Sequence, residues 1–91
     1  MPGKNWHVEL SRSSLKALER LGKIHSSRIL DQLAKLGEAE NPLRDKDVRP
    51  LEEKLKGFYR LRVGEYRIIF ELDPDNRRIG ILAIVPRGRG Y

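Results

Sequence analysis

Ninety-one residues without a cysteine exclude disulfides and thiolate metal sites, and they suit one modest core, so a single domain over residues 1–91 is expected. No apolar run has the length of a signal-peptide core or approaches the roughly 20 residues of a membrane span, so a soluble, cytoplasmic protein with no membrane partner is expected. Nineteen Lys and Arg against thirteen Asp and Glu give a net charge of +6. The excess is uneven: residues 56–91 hold eight basic and four acidic side chains, and all eight except Lys56 are arginine. Arginine forks match phosphate oxygens two at a time, which makes nucleic acid the first partner to consider, with solubility as the plain alternative.

Taken in order, Trp6-His7-Val8-Glu9-Leu10 alternates apolar and polar residues, which predicts a short strand with Trp6, Val8 and Leu10 inward. Ser11, Ser13 and Ser14 each offer a helix N-cap. Leu15, Leu18 and Leu21 recur at helical spacing, with Gly22 as the stop. A second helix is expected from about Lys23 to Leu36, with the stripe Ile29, Leu30, Leu33, Ala34 and Leu36, ended by Gly37. A connection this short predicts an antiparallel helical hairpin whose leucine stripes are core. Lys16, Arg20, Lys23, Arg28 and Lys35 then lie on its solvated faces. Residues 38–56 carry Pro42 and Pro50 among charges of both signs. They predict a long loop tacked down by Leu43, Val48, Leu51 and Leu55, with room for a short helical turn around Leu51–Leu55.

The organising stretch is Gly57 to Phe70, two strands joined by the turn Gly64-Glu65. If Val63 faces Tyr66, counting outward sets the rest of the register. One face receives Val63/Tyr66, Leu61/Ile68 and Tyr59/Phe70, and is the core face. The other receives Arg62/Arg67 and Arg60/Ile69. Like charges directly opposite destabilise a sheet by a few tenths of a kcal/mol or more, so folding gives no reason for three guanidinium groups there. A polyanion does.

Asp73-Pro74-Asp75-Asn76 is a turn signal, after which Arg77 and Arg78 read as solvated loop charges. Ile79 to Val85 is a nearly continuous apolar run, expected as a strand pairing Leu72/Ile79, Phe70/Ile81, Ile68/Ala83 and Tyr66/Val85, with Gly80 facing Glu71. Pro86 is expected to stop the ladder because it lacks an N–H. Arg87-Gly88-Arg89-Gly90-Tyr91 closes the chain as a compliant basic tail with a terminal aromatic able to stack.

The order strand, helical hairpin, three-stranded meander, together with residues 55–70 and the ending Pro86-Arg87-Gly88-Arg89-Gly90-Tyr91, resembles the RelE/ParE toxin superfamily of prokaryotic toxin–antitoxin pairs. The PRGR phrase is most similar to archaeal and related RelE endings. The resemblance implies an α+β fold, RelE-like and microbial ribonuclease-like: an N-terminal strand, an antiparallel helical hairpin, then a three-stranded antiparallel meander forming a twisted sheet. It implies an mRNA interferase that enters the ribosomal A site and uses the 2′-hydroxyl beside the scissile phosphate as nucleophile, without metal or cofactor. Position by position, the catalytic set implied is Arg60, Arg62, Arg67, Arg87 and Tyr91, with Lys56 and Arg89 as further RNA-binding residues. Implied partners are mRNA, the ribosome and a cognate RelB-like antitoxin in a hetero-oligomer. A ParE-like gyrase-binding toxin and a non-cleaving RNA- or ribosome-binding relative remain as alternatives.

The chain departs from the family pattern in one respect that bears on mechanism. Arg60 and Arg62 stand where the best-known RelE has lysines, and arginine stays protonated near neutral pH. They suit charge stabilisation rather than proton transfer. No histidine lies in the C-terminal half; His7 and His25 read as ordinary side chains, and Glu65 as a turn residue that could serve as a base. The general base is left unassigned.

Overall fold

In a computed structural model that describes residues 5–51 and 57–86, the expected alternation forms strand β1 (His7–Leu10), followed by helices α1 (Arg12–Leu21) and α2 (Lys23–Glu38). Strands β2 (Val48–Pro50), β3 (Phe58–Val63), β4 (Tyr66–Asp73) and β5 (Arg78–Pro86) complete a five-stranded sheet of order β1-β5-β4-β3-β2. Strand β1 runs parallel to β5, and the remaining pairs are antiparallel. The class is the expected α+β. The sheet is wider than a meander plus one strand, because β2 joins its far edge.

The core lies between one sheet face and the helical hairpin. Val8, Leu61, Ile68, Phe70, Ile79, Ile81 and Ile84 pack with Leu18, Ile29, Leu33 and Leu36; burying each such side chain contributes about 1.5–3 kcal/mol. Ser11 caps α1 by accepting the Ser14 N–H at 3.1 Å, and this cap sets the rotational phase of the helix. Ser14 therefore faces inward with Leu18, its hydroxyl donating to the Ile81 carbonyl at 3.3 Å, while Leu15, expected inward, is 51% exposed. Leu30, placed in the stripe of α2, is 45% exposed, because it lies at the edge of the arc that Ile29, Leu33, Leu36 and Gly37 bury. Gly22, with φ +84, separates the two helices as expected. Gly37 does not end α2. It lies buried within the last turn, and its carbonyl accepts the N–H groups of Asn5 and Trp6 at 3.0 and 2.8 Å. The chain entering β1 is fastened there.

Three further expectations are corrected. Residues 38–51 are not a plain loop: Asn41 caps a single 3-10 turn over Pro42–Arg44 through the Leu43 N–H at 3.0 Å, and Val48 is buried opposite Leu61 in β2. Pro50 is tolerated because β2 is an edge strand. Leu43 is exposed, and Leu55 with much of the helical turn expected around Leu51–Leu55 lies outside the described residues. Between β4 and β5 the pairs Leu72/Ile79 and Phe70/Ile81 hold, and then the register shifts by one residue at Leu82. Ile84 replaces Ala83 opposite Ile68, and the ladder continues to Pro86, opposite Tyr66. The bulged Leu82 carbonyl instead accepts the hydroxyls of Ser11 and Ser13, at 3.0 and 3.2 Å. Finally, Arg77 and Arg78 are not free loop charges. Arg77, at φ 52, stacks its guanidinium 4.6 Å from the Trp6 ring centre and donates to the Asn5 carbonyl at 3.0 Å. Arg78 opens β5 as the centre of an ion-pair cluster. Among the described residues no helix is long and apolar enough to cross a membrane.

Candidate nucleic-acid interface

The β3–β4 hairpin turns at Gly64, whose φ of +57 is the left-handed conformation that glycine adopts without strain. Its register is the one the residues predict: Val63 faces Tyr66, Leu61 Ile68 and Tyr59 Phe70, with Arg62 opposite Arg67 and Arg60 opposite Ile69. Strand alternation sends the first set into the core and carries Arg60, Arg62 and Arg67 to the sheet face opposite the helices. Ile69 lies among them at 1% exposure, an apolar floor beneath the charges. Arg62 is exposed, and Arg60 and Arg67 are half-buried.

A fourth arginine, missed from sequence, joins this face. Arg49 on β2 stands directly opposite Arg60. It was hidden because Pro50 made its segment read as loop; the available signal was Val48, an apolar residue next to a proline that an edge strand can hold. Arg49 is anchored by its Nη1, which donates to the carbonyls of Lys46 and Val48 at 3.1 and 2.9 Å. Partial burial, reinforced by the charges of Arg62, Arg49 and Arg67, lowers the pKa of Arg60, with Asp47 opposing. An arginine remains charged through the neutral range all the same. Among the described residues, none of the four is within ion-pair distance of a carboxylate.

The other end of the same face is built differently. Arg78 lies 3.1 Å from Glu9, 3.6 Å from Glu71 and 3.8 Å from Asp73, and His7 lies 3.5 Å from Glu9. Gly80 makes room for this cluster: a Cβ there would come within 2.9 Å of Arg78 Nη1 and 3.2 Å of Glu71 Oε2. His7 therefore belongs to the acidic end. His25 packs edge-on against Tyr66, ring centres 5.4 Å apart, in a recess it shares with Glu65. Tyr66 is a core-side residue of the hairpin, so His25 does not join the arginine face either. An open groove of about 790 Å³ runs between α2 and the end of β3, with Arg28, Lys35, Lys46 and Arg62 interleaved with Asp31, Glu38, Asp45 and Asp47. Its mixed charge suits it less to a polyanion than the arginine face. Lys56, Arg87, Arg89 and Tyr91 lie outside the described residues.

Comparison with known proteins agrees with this architecture. The chain aligns with toxin RelE of Mycobacterium tuberculosis at 29% identity over 87 residues, covering 94% of this chain and 86% of that protein. It superposes on the toxin of the archaeal RelE–RelB complex from Pyrococcus horikoshii with a TM-score of 0.78 at 33% identity, covering 94% of this chain and 99% of that one. The isolated E. coli RelE toxin shares the fold, with a TM-score of 0.74 at 14% identity over 94% of this chain and 88% of that one. A sequence profile of the ParE toxin of type II toxin–antitoxin systems matches residues 8–91. The chain belongs to this RelE/ParE family of type II toxins.

Proposed function

We propose that this protein is a ribosome-dependent endoribonuclease that cuts mRNA in the A site. The observation that carries the reading is the set Arg60, Arg62 and Arg67 on one sheet face, with Arg62 and Arg67 directly opposed at a cost to the fold. Such a site suits a reaction that accumulates negative charge. Attack of the 2′-hydroxyl on the adjacent phosphorus forms the O2′–P bond, and breaking the P–O5′ bond leaves a cyclic phosphate and a 5′-hydroxyl. The 2′-proton passes to a base, and an acid protonates the leaving oxygen. Between these steps the pentacoordinate phosphorus carries extra negative charge, which the three guanidinium groups neutralise; losing one such donor costs about a hundredfold in rate or more. Arg87 and Tyr91 are the further members of the proposed catalytic set, and Lys56 and Arg89 further RNA-binding residues. Because Arg60 and Arg62 stay protonated, proton transfer falls to other groups, which fits a site completed on the ribosome.

The proposed partner in the resting state is a RelB-like antitoxin, supported by the pairing of RelE with RelB in the archaeal complex. The reading is tested by primer extension on a defined mRNA, incubated with the protein in the presence and absence of translating ribosomes. Cuts at a fixed position within the A-site codon, only when ribosomes translate, are expected. Intact mRNA under both conditions contradicts the nuclease assignment.

A further inference from the structure

The sheet face opposite the helices is divided in charge, and the division has a direction. Arg67 lies on β4, Arg62 opposite it on β3, Arg60 two residues along β3, and Arg49 opposite Arg60 on β2. These four positions step diagonally across three strands, covering two interstrand spacings of about 4.8 Å and one two-residue stride of about 6.7 Å. Toward β1 and the far end of β4 the sign reverses: Glu9 on β1 and Glu71 and Asp73 on β4 surround Arg78 of β5.

Building on the nuclease reading above, we propose that single-stranded RNA crosses this face along the diagonal Arg67, Arg62, Arg60 and Arg49 and passes on over β2, with Arg49 as a further phosphate-binding residue. The acidic end around Glu9, Glu71 and Asp73 turns the strand away from β1. Three observations converge on this path. Arg49 is opposite Arg60, so the fold accepts a second like-charged cross-strand pair beside Arg62/Arg67, and each such pair is unfavourable unless an anion bridges it. The Arg49 side chain is tethered by Nη1 to the Lys46 and Val48 carbonyls, which restricts its rotamers before any ligand arrives and lowers the entropy lost on binding. The acidic cluster sits on the same sheet face, with Gly80 leaving space for the Arg78–Glu71 contact, so the boundary is built into the packing. Phosphates are attracted on one side and repelled on the other, which gives the strand a single exit.

The test is the salt dependence of binding of a short 2′-O-methylated RNA oligonucleotide, which cannot be cut by 2′-attack, followed by fluorescence anisotropy with the full chain. Removing one phosphate contact to a single strand reduces the slope of log K against log salt by about 0.7. Arg49→Ala is expected to show that reduction with severalfold weaker binding. Arg49→Lys is expected to recover most of the slope, and the charge-matched control Arg20→Ala, on α1, is expected to leave it unchanged. Glu71→Gln is expected to tighten binding; unchanged affinity would overturn the barrier. A wild-type slope in Arg49→Ala, with a reduced slope in Arg67→Ala, would overturn the path while leaving the nuclease reading in place. Wild-type slopes in both variants would sink that reading as well. Circular dichroism of each variant separates a lost contact from a lost fold.

Discussion

Arg62 and Arg67 face each other across β3 and β4, and a pair of like charges at that spacing works against the sheet. One substitution should therefore have opposite effects on stability and on function. Arg62→Thr, which puts a good strand former in place of the charge, should raise stability by about 0.2–1 kcal/mol. Urea unfolding measures it, and a loss of stability would mean that the guanidinium makes a folding contact. A second residue-scale prediction concerns Asp73. The Asn76 side chain donates to it at 2.8 Å, and Arg78 adds a favourable charge, so its pKa is lowered despite some desolvation. A depressed carboxylate contributes stability that is fully present above its ordinary range and is lost as pH falls through the lowered value. Titration of the Asp73 carboxyl by NMR should show the midpoint rising toward the ordinary aspartate value in Asn76→Ala. The three hairpin arginines were legible from sequence because a two-residue turn with glycine fixes the register, and register alone assigns each side chain to a face. Arg49 was not, since its strand is only three residues long and ends in proline.

Elements that depend on distant contacts were the ones the sequence concealed. The bulge at Leu82 has no local signature in the run Ile79 to Val85. It is held by Ser11 and Ser13, hydroxyls at the start of α1 that satisfy the carbonyl the ladder leaves free. The same Ser11 caps the helix, so one side chain joins two elements. Ser11→Ala should cost about 1–2 kcal/mol, at the upper end of an N-cap replacement, and thermal unfolding measures it; a change within about 0.3 kcal/mol would show that Ser13 alone suffices. Likewise, β1 adds to the outer edge of the meander, parallel to β5, a pairing that no local pattern in Trp6 to Leu10 announces. The helices themselves were placed to within two residues. Their inward faces were misjudged at Leu15 and Leu30: on α1 it is Ser14 and Leu18 that are buried, next to the Ser11 cap, and on α2 the buried arc is Ile29, Leu33, Leu36 and Gly37, with Leu30 at its edge.

At the scale of the whole molecule, the net charge of +6 is less informative than its distribution. One sheet face builds the core against the helical hairpin. The other gathers Arg49, Arg60, Arg62 and Arg67 at one end and Glu9, Glu71 and Asp73 around Arg78 at the other. The RelE/ParE membership accounts for the scaffold, and the arginine end is the part to which the proposed RNA chemistry belongs. Ribosome-dependent mRNA cleavage by Arg67→Ala, followed by primer extension beside the wild type, decides whether this sheet face takes part in the chemistry. A loss of about a hundredfold or more is expected, with the urea midpoint unchanged or raised. Cleavage at the wild-type rate by a correctly folded Arg67→Ala would contradict it, because the sheet face would then have no part in the chemistry.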